Sequence, residues 1–188
     1  MGEIKFDLKM YFFIAYQLKN LHGGIQAGHS ALRYVRKYYK TDPRVWDFID
    51  NHETWIILDG GTTNHSIGKD DVPIGTLNQI YELLIDNGIS VTYFSEPDLN
   101  DAMTAICFIC DERVWNYKDY PEFIDYMINV IECDTKHYLA NYDFISIKTK
   151  NKEELQQMYP EQYNIWLKNL GGETNLFLRE LIKGKKLA

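Results

Sequence analysis

Apolar positions along the first hundred residues fall into two rhythms. Residues 10–18 (MYFFIAYQL) are aromatic and β-branched in the manner of a buried strand, and residues 53–59 (ETWIILD), 89–94 (ISVTYF) and 103–109 (MTAICFI) read the same way. Between the first two strands, Ile25, Gly28, Leu32, Val35 and Tyr39 recur at three- and four-residue spacing, which predicts a helix over 25–39 with that stripe laid on the sheet. Val45, Trp46, Phe48 and Ile49 after Asp42-Pro43 predict a short second helix. Leu77, Ile80, Tyr81 and Leu84 predict a third, opened by a capping-box spacing at Thr76 and Gln79 and closed at Asn87-Gly88. The order strand, helix, strand, helix, strand, strand predicts an α/β fold: a mixed four-stranded sheet with helices on both faces.

After residue 111 the rhythm is mostly helical. Tyr120-Pro121-Glu122 opens a helix to about Asp134, residues 143–149 (DFISIKT) alternate like an edge strand, and Pro160 starts a helix carrying Tyr163, Trp166 and Leu167. Gly171-Gly172 interrupts it, and Leu176, Phe177, Leu181 and Ile182 follow. The chain divides into a core over 1–111 and a helical appendage over 112–188. So much aromatic surface has to be buried, either against the core or in a homodimer.

Composition narrows the function classes. The 188 residues are 45% hydrophobic and 25% charged, enough for one good core. No apolar run approaches the roughly 20 residues that span a bilayer, and residues 1–9 are too charged for a signal peptide. Cytoplasmic residence and no membrane partner are expected, and three cysteines fit a reducing compartment. Cys107 and Cys110 lie three apart in an apolar strand, which points them to opposite faces as structural thiols. The net charge is −7, with 9 basic against 15 acidic residues up to Asp111. Long-duplex binding is disfavoured, and any nucleic-acid contact must use a local patch such as the Arg33 to Lys40 edge or Lys183, Lys185 and Lys186.

Candidate chemistry concentrates in residues 21–31 (LHGGIQAGHSA), where a strand hands over to a helix. Gly23-Gly24 reads as a turn, and the amides beyond it, near Gly24, face an anion or a developing oxyanion. Gln26, His29, Arg33, Arg36 and Lys40 run along one helix edge, able to track a phosphate backbone or to be a solvated face near a helix C-terminus. Residues 60–65 lack the lysine and glycine spacing of a P-loop and read as a mobile turn. His52 and His65 have no partners at ligand spacing, so neither a metal site nor a cofactor is expected.

Gln26 and His29 at the head of the first helix, the apolar strand Ile56 to Leu58, and an acidic loop leading to a strand with a threonine (Glu96, Thr104), in that order, make residues 10–111 resemble the peptidyl-tRNA hydrolase family of the archaeal and eukaryotic type. The chain departs from that pattern where His22 stands in place of a lysine four residues before Gln26, where Leu58 or Asp59 replaces a second lysine, and where Glu96 replaces an aspartate. The resemblance implies hydrolysis of the ester joining a peptide to the terminal ribose of tRNA. In that role His22 would take a proton from water, Glu96 would orient the water, Gln26 and the helix-start amides would hold the carbonyl oxygen, and Thr104 would position ribose or water. Gly24, Arg33, Arg36 and Lys40 would meet RNA phosphates, with the acylated 3′ end of tRNA as partner. His29 is expected to face inward as a structural histidine. The alternative is a non-catalytic scaffold that binds a nucleotide, an RNA end or a partner protein.

Overall fold

The computed structural model describes residues 5–18, 20–64, 74–134 and 147–188. It divides into two compact units, residues 1–112 with 181–188, and residues 113–180.

The first unit is α/β. Strands β1 (Leu8–Ile14), β2 (Trp55–Asp59), β3 (Thr92–Glu96) and β4 (Ala102–Asp111) form one mixed sheet in the order β2-β1-β4-β3. β1 runs parallel to β2, and β4 runs antiparallel to both β1 and β3. A parallel neighbour needs a crossover. Helices α1 (Leu21–Tyr38) and α2 (Arg44–Asn51) supply it, and α3 (Thr76–Asp86) precedes β3. Along β3, Thr92 and Phe94 meet α1 through Ser30 and Arg33, while Tyr93 between them meets Tyr81 of α3. Since side chains alternate across a sheet, α1 and α3 cover opposite faces. Every residue of β4 is buried, as a central strand covered on both faces requires.

Three expectations change. The helix begins at Leu21, four residues before the predicted start, so Gly23 and Gly24 are its first turn and not a hinge ahead of it. Gly23 is required there by contact: a Cβ would stand 2.4 Å from Ile14 Cδ1 and 2.5 Å from the Leu18 carbonyl. The stripe expected on the sheet is turned away from it. Ile25 is 46% and Leu32 71% exposed, whereas Gly23, Gln26, Ala27, Ser30, Ala31 and Tyr34 are buried. Small residues let the helix axis approach the strands closely, and that advantage outweighs the larger side chains. At α3, Gly75 is the N-cap and Thr76 the first helical residue. The Thr76 hydroxyl accepts from the Thr62 amide (2.8 Å) and donates to the Gly60 carbonyl (3.0 Å), so residues 60–64 are tied to α3. His65 lies outside the described residues.

The second unit is helical: α4 (Phe123–Asp134), α5 (Lys152–Met158), α6 (Pro160–Leu170) and α7 (Glu173–Ile182, whose last two residues belong to the first unit). Its aromatics bury one another: Phe123, Met127, Ile147, Leu155, Tyr163, Trp166, Leu170 and Leu176 form a core of this unit. Asn151 and Glu154 make a reciprocal capping box, and Gly171 (φ 100°) closes α6 in a left-handed turn. Arg179 is fully buried, donating to the Arg113 and Tyr120 carbonyls with its guanidinium 3.9 Å from the Tyr117 ring centre. The strand expected over 143–149 lies largely outside the described residues, and Ile147 and Lys148 are helical. The last residues return to the first unit, where Leu187 bridges Leu58 beside β2. No described helix is long and apolar enough to cross a membrane.

Candidate functional site

The carboxyl ends of β1 and β2, the end of β3 and the start of β4 meet at one edge of the sheet. There the Ala15 amide donates to the Thr104 carbonyl (3.0 Å), the Tyr16 amide to the Gly61 carbonyl (2.8 Å), and the Thr63 hydroxyl to the Met103 carbonyl (2.5 Å). Open α/β sheets place ligands outside such strand ends.

Into this edge α1 projects Gln26, which is 7% exposed. Its Nε2 donates to Glu96 Oε2 at 2.8 Å, and its Oε1 accepts from the Thr104 hydroxyl at 2.7 Å. The carboxylate can only accept, which fixes the amide nitrogen toward Glu96 and the oxygen toward Thr104. Gln26 thus joins two residues 70 and 78 positions away into one hydrogen-bonded chain. Thr104 owes its aim to a β-bulge: β3 and β4 pair Phe94 with Ala105 and then Ser95 with Met103, leaving Thr104 as the extra residue. Bulges redirect one side chain locally, and this one turns a hydroxyl toward α1. The Phe94 carbonyl is a second acceptor at 3.3 Å.

The predicted residues divide accordingly. Gln26, Glu96 and Thr104 converge. Thr104 is fully buried and committed to Gln26, so it positions the amide and cannot touch a ribose. His22 stands one helical turn before Gln26, exposed and hydrogen-bonded to none of the three. The Gly24 amide is already donated to the Asn20 carbonyl (3.1 Å), so the amides left without an intrahelical acceptor are those before it, Leu21, His22 and Gly23. His29 is not inward as expected: it is exposed, its ring stacked on Phe94 at 4.5 Å.

The cationic edge also divides. Arg33 lies over the Phe94 ring (4.6 Å) and donates to the Tyr93 carbonyl (3.1 Å), and Lys37 reaches the Val91 carbonyl (3.4 Å). β3 is an edge strand, and these cations occupy carbonyls that face outward from it. Lys40 turns instead to the Tyr39 ring (5.3 Å). Lys185 lies 5.8 Å from the Phe13 ring centre.

On the outer side of α1, Ile25, Leu32 and Val35 with Met10, Phe48 and Trp55 line an apolar groove of about 510 Å³. Hydrophobic spacing revealed those α1 residues but not that they face a groove. Cys107 is buried, and burial pushes its thiol up to about 12 despite the opposing Thr92 hydroxyl 3.4 Å from its sulfur, so it is no nucleophile. Among the described residues no three His, Cys, Asp or Glu side chains gather where a metal could sit. Compared with known proteins, the chain matches no family model, no curated protein and no solved structure.

Proposed function

We propose that the Glu96–Gln26–Thr104 cluster is the ester-cleaving site of an enzyme acting on an acylated RNA, with peptidyl-tRNA as the substrate class that the sequence resemblance implies. One observation carries the reading: a partly exposed carboxylate whose Oε2 is held by a buried amide, itself fixed by the hydroxyl of a bulged strand residue. A bare structural role for Glu96 would not need so long a buried polar chain, because burying an amide and a hydroxyl is favourable only when both are satisfied. The mixed sheet, with its site at the strand ends, also fits a hydrolase of that family.

In this reading Glu96 Oε1 takes a proton from water as the water oxygen attacks the ester carbonyl carbon. The unpaired amides at the start of α1 face the oxygen that gains charge. The bond to the ribose oxygen then breaks, that oxygen receives the proton from Glu96, and the peptide acid releases the remaining water proton to solvent and leaves as a carboxylate. Gln26 and Thr104 hold the carboxylate's orientation, and His22, one turn away, is placed to accept or return the proton at the solvent side.

The test is turnover of N-acylated aminoacyl-tRNA by the full chain. Glu96→Gln is expected to lower kcat by about 10²- to 10⁴-fold, with a smaller loss for His22→Ala. Absence of turnover by the unaltered protein at any concentration would overturn the reading in favour of a non-catalytic holder of an RNA end. That second reading is favoured by the full commitment of Gln26 Oε1 to Thr104 and by the solvent position of His22.

A further inference from the structure

The cations that cap β3 do more than protect an edge. Arg33, Arg36 and Lys37 of α1 line a concavity of about 380 Å³ with Tyr81, Thr92 and Tyr93. No carboxylate lines it, and among the described residues none of the three cations is ion-paired, although the chain carries a net charge of −7. Arg33 and Lys37 are held in place by the Tyr93 and Val91 carbonyls, which leaves their remaining N–H groups for another acceptor. Arg36 serves no such edge role. The two tyrosine rings pack edge to face at 5.0 Å and give the concavity a rigid wall.

The geometry points to this concavity as a phosphate-binding subsite: two cations held in place, Arg33 and Lys37, and a third, Arg36, with the Tyr81 and Tyr93 phenols around a space that admits a phosphate and its attached sugar. Arginine forks match phosphate oxygens in pairs, and lysine adds a mobile point charge. Burial raises the Tyr81 phenol, Lys37 opposing, so the group stays a neutral hydroxyl donor. Arg33 lies seven helical residues from Gln26, about 10 Å along the axis, so a strand whose acylated end sits at Glu96 passes over the subsite a short distance upstream. The identity of the ligand as an RNA phosphate rests on the acylated-RNA reading; the affinity for phosphate does not.

The experiment measures binding of a short single-stranded RNA oligonucleotide and, separately, of AMP to the full chain and to Arg36→Ala, Lys37→Ala and the double variant, with Lys5→Ala as control. All three positions are exposed, so the substitutions are expected to leave the fold intact, with circular dichroism as the check. Each pocket variant is expected to weaken binding on the order of tenfold and to lower the salt slope for the oligonucleotide by about 0.7 per phosphate contact removed, with Lys5→Ala unchanged. Loss for the oligonucleotide alone assigns a chain phosphate, and loss for AMP as well assigns a terminal phosphate monoester. A double variant that binds both ligands within twofold of the unaltered protein overturns the subsite. On acylated RNA, a raised KM with unchanged kcat supports it, whereas a protein without turnover that still loses binding in the variants refutes only the esterase reading.

Discussion

The two sides of α1 are built on opposite rules. Its sheet side carries glycine, alanines, a serine and Gln26, all buried, while its outer side carries Ile25 and Leu32, both substantially exposed. A helix serving only to cover a sheet would present the reverse. Close approach explains the small residues, since Gly23 nearly touches Ile14 and the Leu18 carbonyl. Gln26 is different: only a partner on each end of its amide makes its burial favourable, and both partners come from distant strands. α1 therefore carries the Gln26 cluster on its sheet side, with the apolar groove on one flank and the concavity of Arg33, Arg36 and Lys37 on the other.

The contrast is most easily broken at Tyr34, a fully buried ring on the sheet side packed against Tyr38 at 4.8 Å. Tyr34→Ala is expected to cost about 3–5 kcal/mol, against less than about 0.5 kcal/mol for Leu32→Ser on the outer side. Urea denaturation midpoints measure both, and a Leu32 effect as large as the Tyr34 effect would show that the outer face is covered. Thr104→Val sharpens the polar half of the comparison. It keeps the shape but leaves Gln26 Oε1 buried without a donor, costing about 1–3 kcal/mol, and it frees the amide to rotate, so kcat falls while KM holds.

The smallest effect concerns pH. Asp42 is partly buried, which alone would raise its carboxyl; the Arg44 guanidinium, hydrogen-bonded to both oxygens at 2.7–3.2 Å, outweighs burial and holds it below the usual carboxylate range. A lowered folded-state value means that the pair's contribution is present above the ordinary aspartate range near 3.9 and is lost as pH falls through the lower folded value. The partly exposed pair is worth no more than about 1 kcal/mol. Acid unfolding of Asp42→Asn is expected to show a shallower loss of stability below pH 4 than the unaltered protein.

Strands were legible as short aromatic and β-branched runs and helices because their apolar residues repeat at three to four, and the order of elements then left few topologies. Gln26, Glu96 and Thr104 were legible only as an ordered set of residue types, and nothing local distinguishes Glu96 from an ordinary loop acid. The stripe of α1 was misread because hydrophobic spacing reports which residues are alike, not which face is taken. The second unit's core was invisible for a related reason: Phe123, Tyr163 and Trp166 announce burial without naming the surface that buries them.

By itself the chain's order of apolar and polar residues determined an α/β unit of four strands followed by helices, since periodicity is a local property that each segment carries alone. Tertiary structure decided which face of α1 meets the sheet, that a bulge turns Thr104 toward Gln26, and that Arg36 and Lys37 share a concavity with Tyr81. Those outcomes depend on close packing and on satisfying buried polar groups between segments far apart in sequence, and neither requirement is written in any one segment.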